Sequence, residues 1–232
     1  MSFMNCKSKL YIEFVGQHTA GKTTVIHDIV DRGLLEPVNA IYPQKIKRSR
    51  LDLVFCMPRL IFVHMIDILF LFQFFARNVK CNWMNYHSAG RHMWKMIFLH
   101  PYFSKFDYDV WMKDDLLHLL PRLEFKPGVD TSDAFNLFFN HFSHWYSGLV
   151  FIDLPYEDMK VRFNERFKNR PHQRRKNRSK VYERAYVQNK ILKHVLLEQN
   201  KVRVLVLDGK SEVAMKSAQV VKFIKELLYE KK

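Results

Sequence analysis

The segment Gly16–Thr23 reads GQHTAGKT and fits G-x-x-x-x-G-K-[ST] at every defined position. These residue types suit one task, which is to hold a chain of phosphates. Gly16 and Gly21 let the backbone curl around an anion with no Cβ in the way. The amides of Gln17, His18, Thr19 and Ala20, followed by those of Lys22, Thr23 and Thr24 at a helix start, then face that anion. Lys22 is expected to reach the β- and γ-phosphates, and Thr23 to place its hydroxyl on Mg²⁺. His18 is either a spacer or a contact to the phosphates or acceptor. The flanks agree, because the apolar run KLYIEFVG precedes the segment and a helical pattern follows it.

A nucleotide–Mg²⁺ site also needs an acidic group at the end of a neighbouring strand. Two strand ends qualify, Asp114 and Asp115 after YDVWMK, and Asp153 after LVFI. The first pair is favoured. One carboxylate would orient a metal-bound water and the other would accept a hydroxyl proton. Asp114 is grouped with Thr23 on the metal side, although the two carboxylates are interchangeable on sequence grounds. His118 follows one turn later and reads best as structural. A third group is basic. Arg162, Arg166 and Arg170 recur every four residues, which stacks them on one helical face. A basic lid over 162–180 would bring Arg166 and Arg170 onto transferring phosphates and exclude water. Arg162 is as well read as a scaffold residue.

Strands and long helices must position these groups. Strands are expected at 9–16, 108–115, 148–155 and 201–209, with a short one within 36–42. Helices are expected at 21–32, 51–79, 89–99, 132–146, 156–167, 182–198 and 211–229, the sixth-listed range following a basic, apolar-poor stretch at 168–180. The cap of the 132–146 helix is assigned to Thr131 or Ser132. Apolar strands alternating with helices predict an α/β fold, a parallel sheet covered on both faces. One domain is expected over 1–232, with 49–147 as a helix-rich acceptor-side region interrupted by a core strand near 108–113.

The chain has 232 residues, 48% hydrophobic and 26% charged, which excludes disordered and low-complexity classes. Three cysteines cannot close a disulfide framework, so a reducing, cytoplasmic location is expected. The amino end does not read as a secretory signal. The longest apolar run, Leu60–Ala76, is interrupted by His64, Asp67 and Gln73 and falls short of a span. Peripheral membrane contact and a homodimer are both compatible with the sequence. The formal charge of +15 attracts any polyanion. Nucleic acid is nonetheless a less favoured partner, because no recognition module or zinc spacing is evident. His141 and His144 share a face, but an aromatic core explains them without a metal.

Three segments together resemble the P-loop kinases of the nucleoside and nucleotide type, nearest the thymidylate-kinase-like group. They are YIEFVGQHTAGKTTVIHDI (11–29), LVFIDLPYEDMKVRFNERFKNR (149–170) and VRVLVLDGKSEVAMKSAQVVKFI (202–224). The resemblance implies a three-layer core of about five parallel strands with the loop strand in the middle. It implies ATP–Mg²⁺ as donor and Arg166 with Arg170 in the lid. It places Gly209 and Lys210 near the adenine and supports Asp114 or Asp115. The sequence departs from the group at Asp114–His118, where Asp-Asp-Leu-Leu-His replaces an Asp-Arg-Tyr-type motif. The region 36–147 matches no nucleotide pocket, so thymidylate is not carried over.

The expected function is a small-molecule kinase acting on a nucleoside, nucleotide, sugar or related metabolite. The alternative is an ATP-hydrolysing regulatory or nucleic-acid-associated protein. A GTPase is disfavoured, since the only Asn-Lys, at Asn189 and Lys190, continues Ile-Leu within an expected helix. A sulfotransferase is disfavoured by the complete Gly-Lys-Thr-Thr and the candidate metal carboxylates.

Overall fold

Strand β1, Leu10–Gly16, is buried at all 7 positions. An apolar run covered on both faces belongs inside a parallel sheet. A computed structural model describes residues 10–17, 19–41, 65–82, 108–113, 116–166, 168 and 172–230. After β1 come helix α1 (Lys22–Asp31), the two-residue β2 (Ala40–Ile41) and α2 (Met65–Asn78). Strand β3 (Val110–Lys113) leads to the short α3 (Leu116–Leu119), which tightens into a 3₁₀ turn at Leu120–Arg122. Helix α4 (Thr131–Phe142), β4 (Gly148–Asp153) and α5 (Tyr156–Arg166) follow, then α6 (His172–Glu198), β5 (Val204–Asp208) and α7 (Val213–Glu230).

All pairings are parallel and the order is β2-β3-β1-β4-β5. Four strands have full length, and β2 adds only a two-residue pairing beside Val110 and Trp111. The strand order reverses at β1, with β3 on one side and β4 on the other. In open α/β sheets such a reversal leaves a crevice at the carboxyl ends of the strands. The carboxyl end of β1 is Gly16.

The two-residue period of β1 divides the core. Leu10, Ile12 and Phe14 pack with Val25, Ile26 and Ile29 of α1 and Val220, Phe223 and Ile224 of α7. Tyr11 and Val15 face the other way, into a ring-rich layer. There Phe74 of α2 and Phe135, Phe138 and Phe142 of α4 meet Leu192, Val195 and Leu196 of α6. The described part of 49–147 thus covers one sheet face. No described helix is long and apolar enough to cross a membrane.

Several local expectations change. The cap of α4 is Asp130, whose Oδ1 accepts from the amides of Ser132 (2.7 Å) and Asp133 (3.2 Å), not Thr131 or Ser132. The last helix before β5 starts at His172, about ten residues before the expected start. Residues 172–180 contain no Gly or Pro, so nothing in their sequence breaks a helix nucleated by packing further along. The expected helix at 89–99 and the 51–64 part of the long apolar helix lie outside the described residues.

Phe138 is fully buried, with ring centroids 5.1 Å from Phe74 and 4.7 Å from Phe142. Replacing it with alanine should lower unfolding free energy by about 3–5 kcal/mol, read from denaturant melts.

Candidate functional site

The loop after β1 is shaped by positive backbone angles. Gly16, Thr19 and Gly21 have φ of 120°, 66° and 87°. A Cβ on Gly16 would stand 2.2 Å from the Ile152 carbonyl oxygen of β4, so only glycine fits there. Thr19 is β-branched, and its left-handed conformation costs on the order of 1–3 kcal/mol. The Lys22 side chain turns back under the loop. Its Nζ donates to the carbonyls of Gly16 (3.0 Å) and Gln17 (2.7 Å). Helix α1 then begins with Gly21 at its cap, no side-chain cap among the described residues, and no acid in its first turn. The positive end of its dipole at Lys22 favours a nearby anion.

The loop opens on a cleft of about 490 Å³, lined by Thr19, Ala20, Gly21, Lys22, Thr23, Thr24, His118, Arg122, Arg162 and Arg166. Four of these ten carry fixed positive charge and none is acidic. A larger groove of about 750 Å³ lies between the end of α1 and α7, floored by Ala218 and Val221. It contains no loop residue, so the charged cleft is the candidate site.

Three tethers fix the walls of this cleft. The first is Arg162 of α5, which donates to the carbonyls of Thr19 (3.5 Å) and Gly209 (3.3 Å). It ties the loop after β1 to the turn after β5. The buried Lys216 donates to the same Gly209 carbonyl at 3.1 Å. Burial pushes its ammonium below the ordinary value; the Arg162 charge adds to this and Asp208 opposes it.

The second tether is Asp153 at the end of β4. It accepts from Gln17 Nε2 (3.1 Å), Lys190 Nζ (2.7 Å) and Lys193 Nζ (2.8 Å). The Gln17 oxygen in turn accepts from the Leu154 amide at 3.0 Å. Burial raises the Asp153 carboxyl, yet the two ammonium groups outweigh it and hold the group below its ordinary value.

The third tether begins at Glu13, a fully buried carboxylate within β1. Its Oε1 accepts from the amides of Leu117 (2.7 Å) and His118 (3.2 Å), which fixes α3 against the central strand. His118 Nε2 then meets Arg122 Nη2 at 2.8 Å.

The structure brings Thr19, Ala20, Gly21, Lys22, Thr23, Thr24 and Arg166 together. Thr23, Thr24 and Arg166 are exposed there. Gly16 forms the base of the loop, while the Gln17 side chain points to β4 rather than into the cleft. Gly209 is joined to the site through Arg162. Lys210 turns to Asp158, at 3.0 Å. His118 lines the cleft, although the sequence reads it as structural. Asp153, the second metal candidate, is occupied by two lysines and a glutamine. His141 bonds Asp67 of α2 at 2.8 Å and stacks on Phe70. His18, Asp114, Asp115 and Arg170 lie outside the described residues. Arg122 and Glu13 are absent from the sequence reading.

Among the described residues no cluster of three metal-ligating side chains occurs. Mg²⁺ bound to a phosphate chain takes most of its ligands from phosphate and water and needs one or two protein oxygens. Thr23, exposed at the cleft, is a suitable first donor. No protein-family model matches the chain, and no curated protein matches it.

Asp153 yields a test with a defined sign. Its carboxyl lies below the ordinary value of 3.8, so its stabilisation is present above that value and lost as pH falls through the lower folded value. Asp153→Asn should cost about 2 kcal/mol at neutral pH. The gap between variant and wild type should narrow in melts as pH falls below 3.8.

Proposed function

We propose that the protein is a small-molecule kinase that transfers the γ-phosphoryl group of ATP to an acceptor hydroxyl or phosphate. One observation carries this reading. An uncapped helix start, a lysine threaded through the loop before it and three arginines converge on one cleft at the point where the strand order reverses. Such a concentration of positive charge, with no acid among the described lining residues, is suited to a polyphosphate.

The roles follow from the geometry. The amides at the start of α1, Lys22 to Thr24, hold the phosphate chain. Lys22 is moored to the loop carbonyls and needs only a small swing to reach a bridging oxygen. Arg166, exposed at the end of α5, closes over the donor as the lid expected at 162–180. Arg162 holds the loop and the turn at Gly209–Lys210 in one frame, so base and phosphates are placed together. Mg²⁺ held by Thr23, with Asp114 or Asp115, would neutralise charge between the outer phosphates. The other of these two carboxylates takes the proton of the acceptor. Catalysis is then chiefly positioning and charge stabilisation.

An acceptor screen read by ADP release tests the proposal. The wild type should release ADP only when an acceptor is added. Lys22→Met should lower kcat/KM by about 100-fold or more while the circular-dichroism spectrum keeps the wild-type helix content. ADP release that ignores every acceptor would favour a hydrolytic switch instead.

A further inference from the structure

Arg122 lies in a segment with no recognisable motif, yet it is held from three directions. Its Nη2 donates to His118 Nε2 at 2.8 Å. A guanidinium only donates and stays charged at any physiological pH, so Nε2 must be the acceptor and the imidazole proton sits on Nδ1. His118 is itself fixed, since its amide and that of Leu117 bind the buried Glu13 carboxylate. The backbone on both sides of Arg122 is pinned as well. With its amide nitrogen turned inward, the buried Gln188 of α6 donates to the carbonyls of Pro121 (2.6 Å) and Leu123 (3.2 Å).

This fixed cation lines the same cleft as Lys22, Thr23 and Arg166, on the wall built by α3 and the 3₁₀ turn. It stands on a different element from Arg162 and Arg166 of α5. With the inner part of a phosphate chain on the loop and Lys22, the outer end would run past Thr23 toward the α3 wall. A planar fork of donors suits a phosphoryl group whose charge spreads over its equatorial oxygens. A donor locked before the reaction needs no reorganisation during it.

We propose that Arg122 contacts the terminal, transferred phosphoryl group, and that His118 is the residue that positions it. The proposal rests on the kinase reading and adds a catalytic arginine on the α3 wall. It also separates two kinds of cation in the cleft. Lys22 serves donor and product alike, whereas Arg122 distinguishes the triphosphate from the diphosphate.

Displacement of a fluorescent nucleotide by ATP–Mg²⁺ and by ADP–Mg²⁺ tests this without knowing the acceptor. Arg122→Ala should weaken ATP–Mg²⁺ about tenfold or more and leave ADP–Mg²⁺ within about twofold. Arg122→Lys keeps the charge without the fork and should lose part of that selectivity; it carries the comparison if the alanine variant does not fold. His118→Leu should reproduce a share of the Arg122→Ala effect, and His118→Gln, which retains an acceptor, should restore it. Equal losses for both nucleotides, or none, in Arg122 variants of a protein that binds ATP–Mg²⁺ would overturn the proposal and leave the kinase reading standing. A wild type that binds neither nucleotide would overturn both.

Discussion

A buried ammonium group holds the loop together. Lys22 is about one-twentieth exposed, and its Nζ spans the carbonyls of Gly16 and Gln17. Burying a cation is costly unless polar groups replace its water. Here the replacing groups are the loop's own carbonyls, so this charge also shapes the loop. The neighbouring Arg162, Arg166 and Arg122 add further positive charge, and like charges gathered in one cleft oppose one another. The cleft therefore favours anions over cations.

The rest of the molecule keeps that arrangement from relaxing. Gly16 touches β4 so closely that no other residue fits. Asp153 clasps Gln17 and two lysines of α6, so the loop, the β4 end and α6 are joined at one carboxylate. Arg162 and Lys216 converge on the Gly209 carbonyl and couple the loop to the last crossover. Glu13 does the same for α3, from the middle of the central strand. Each tether joins a charged or polar side chain to partners on a different element.

Much of this frame was legible in the sequence. The glycine spacing of 16–21, the apolar strands and the helix that follows Lys22 were enough to place the loop at a sheet end. The misses have physical causes. Asp130, Thr131 and Ser132 are all good caps, so spacing could not choose among them. The start of α6 at residue 172 hides in a basic stretch with no hydrophobic period. Arg122 is a lone cation in a turn, and nothing in its neighbours marks the cleft it faces. Glu13 did leave a signal, a carboxylate within an apolar strand that must find a partner once buried. His141 and Asp67 are 74 residues apart, and their pairing depends on how α2 meets α4.

In the proposed function the loop and the start of α1, Thr19 to Thr24, receive a polyphosphate. Amide proton–nitrogen spectra recorded during addition of a non-hydrolysable ATP analogue with Mg²⁺ test it most directly. Large shifts confined to residues 19–24 and the cleft arginines, absent with adenosine alone, are the predicted result. Resonances of the loop that stay in place at saturating analogue, or shifts that appear only in the groove between α1 and α7, would contradict the account.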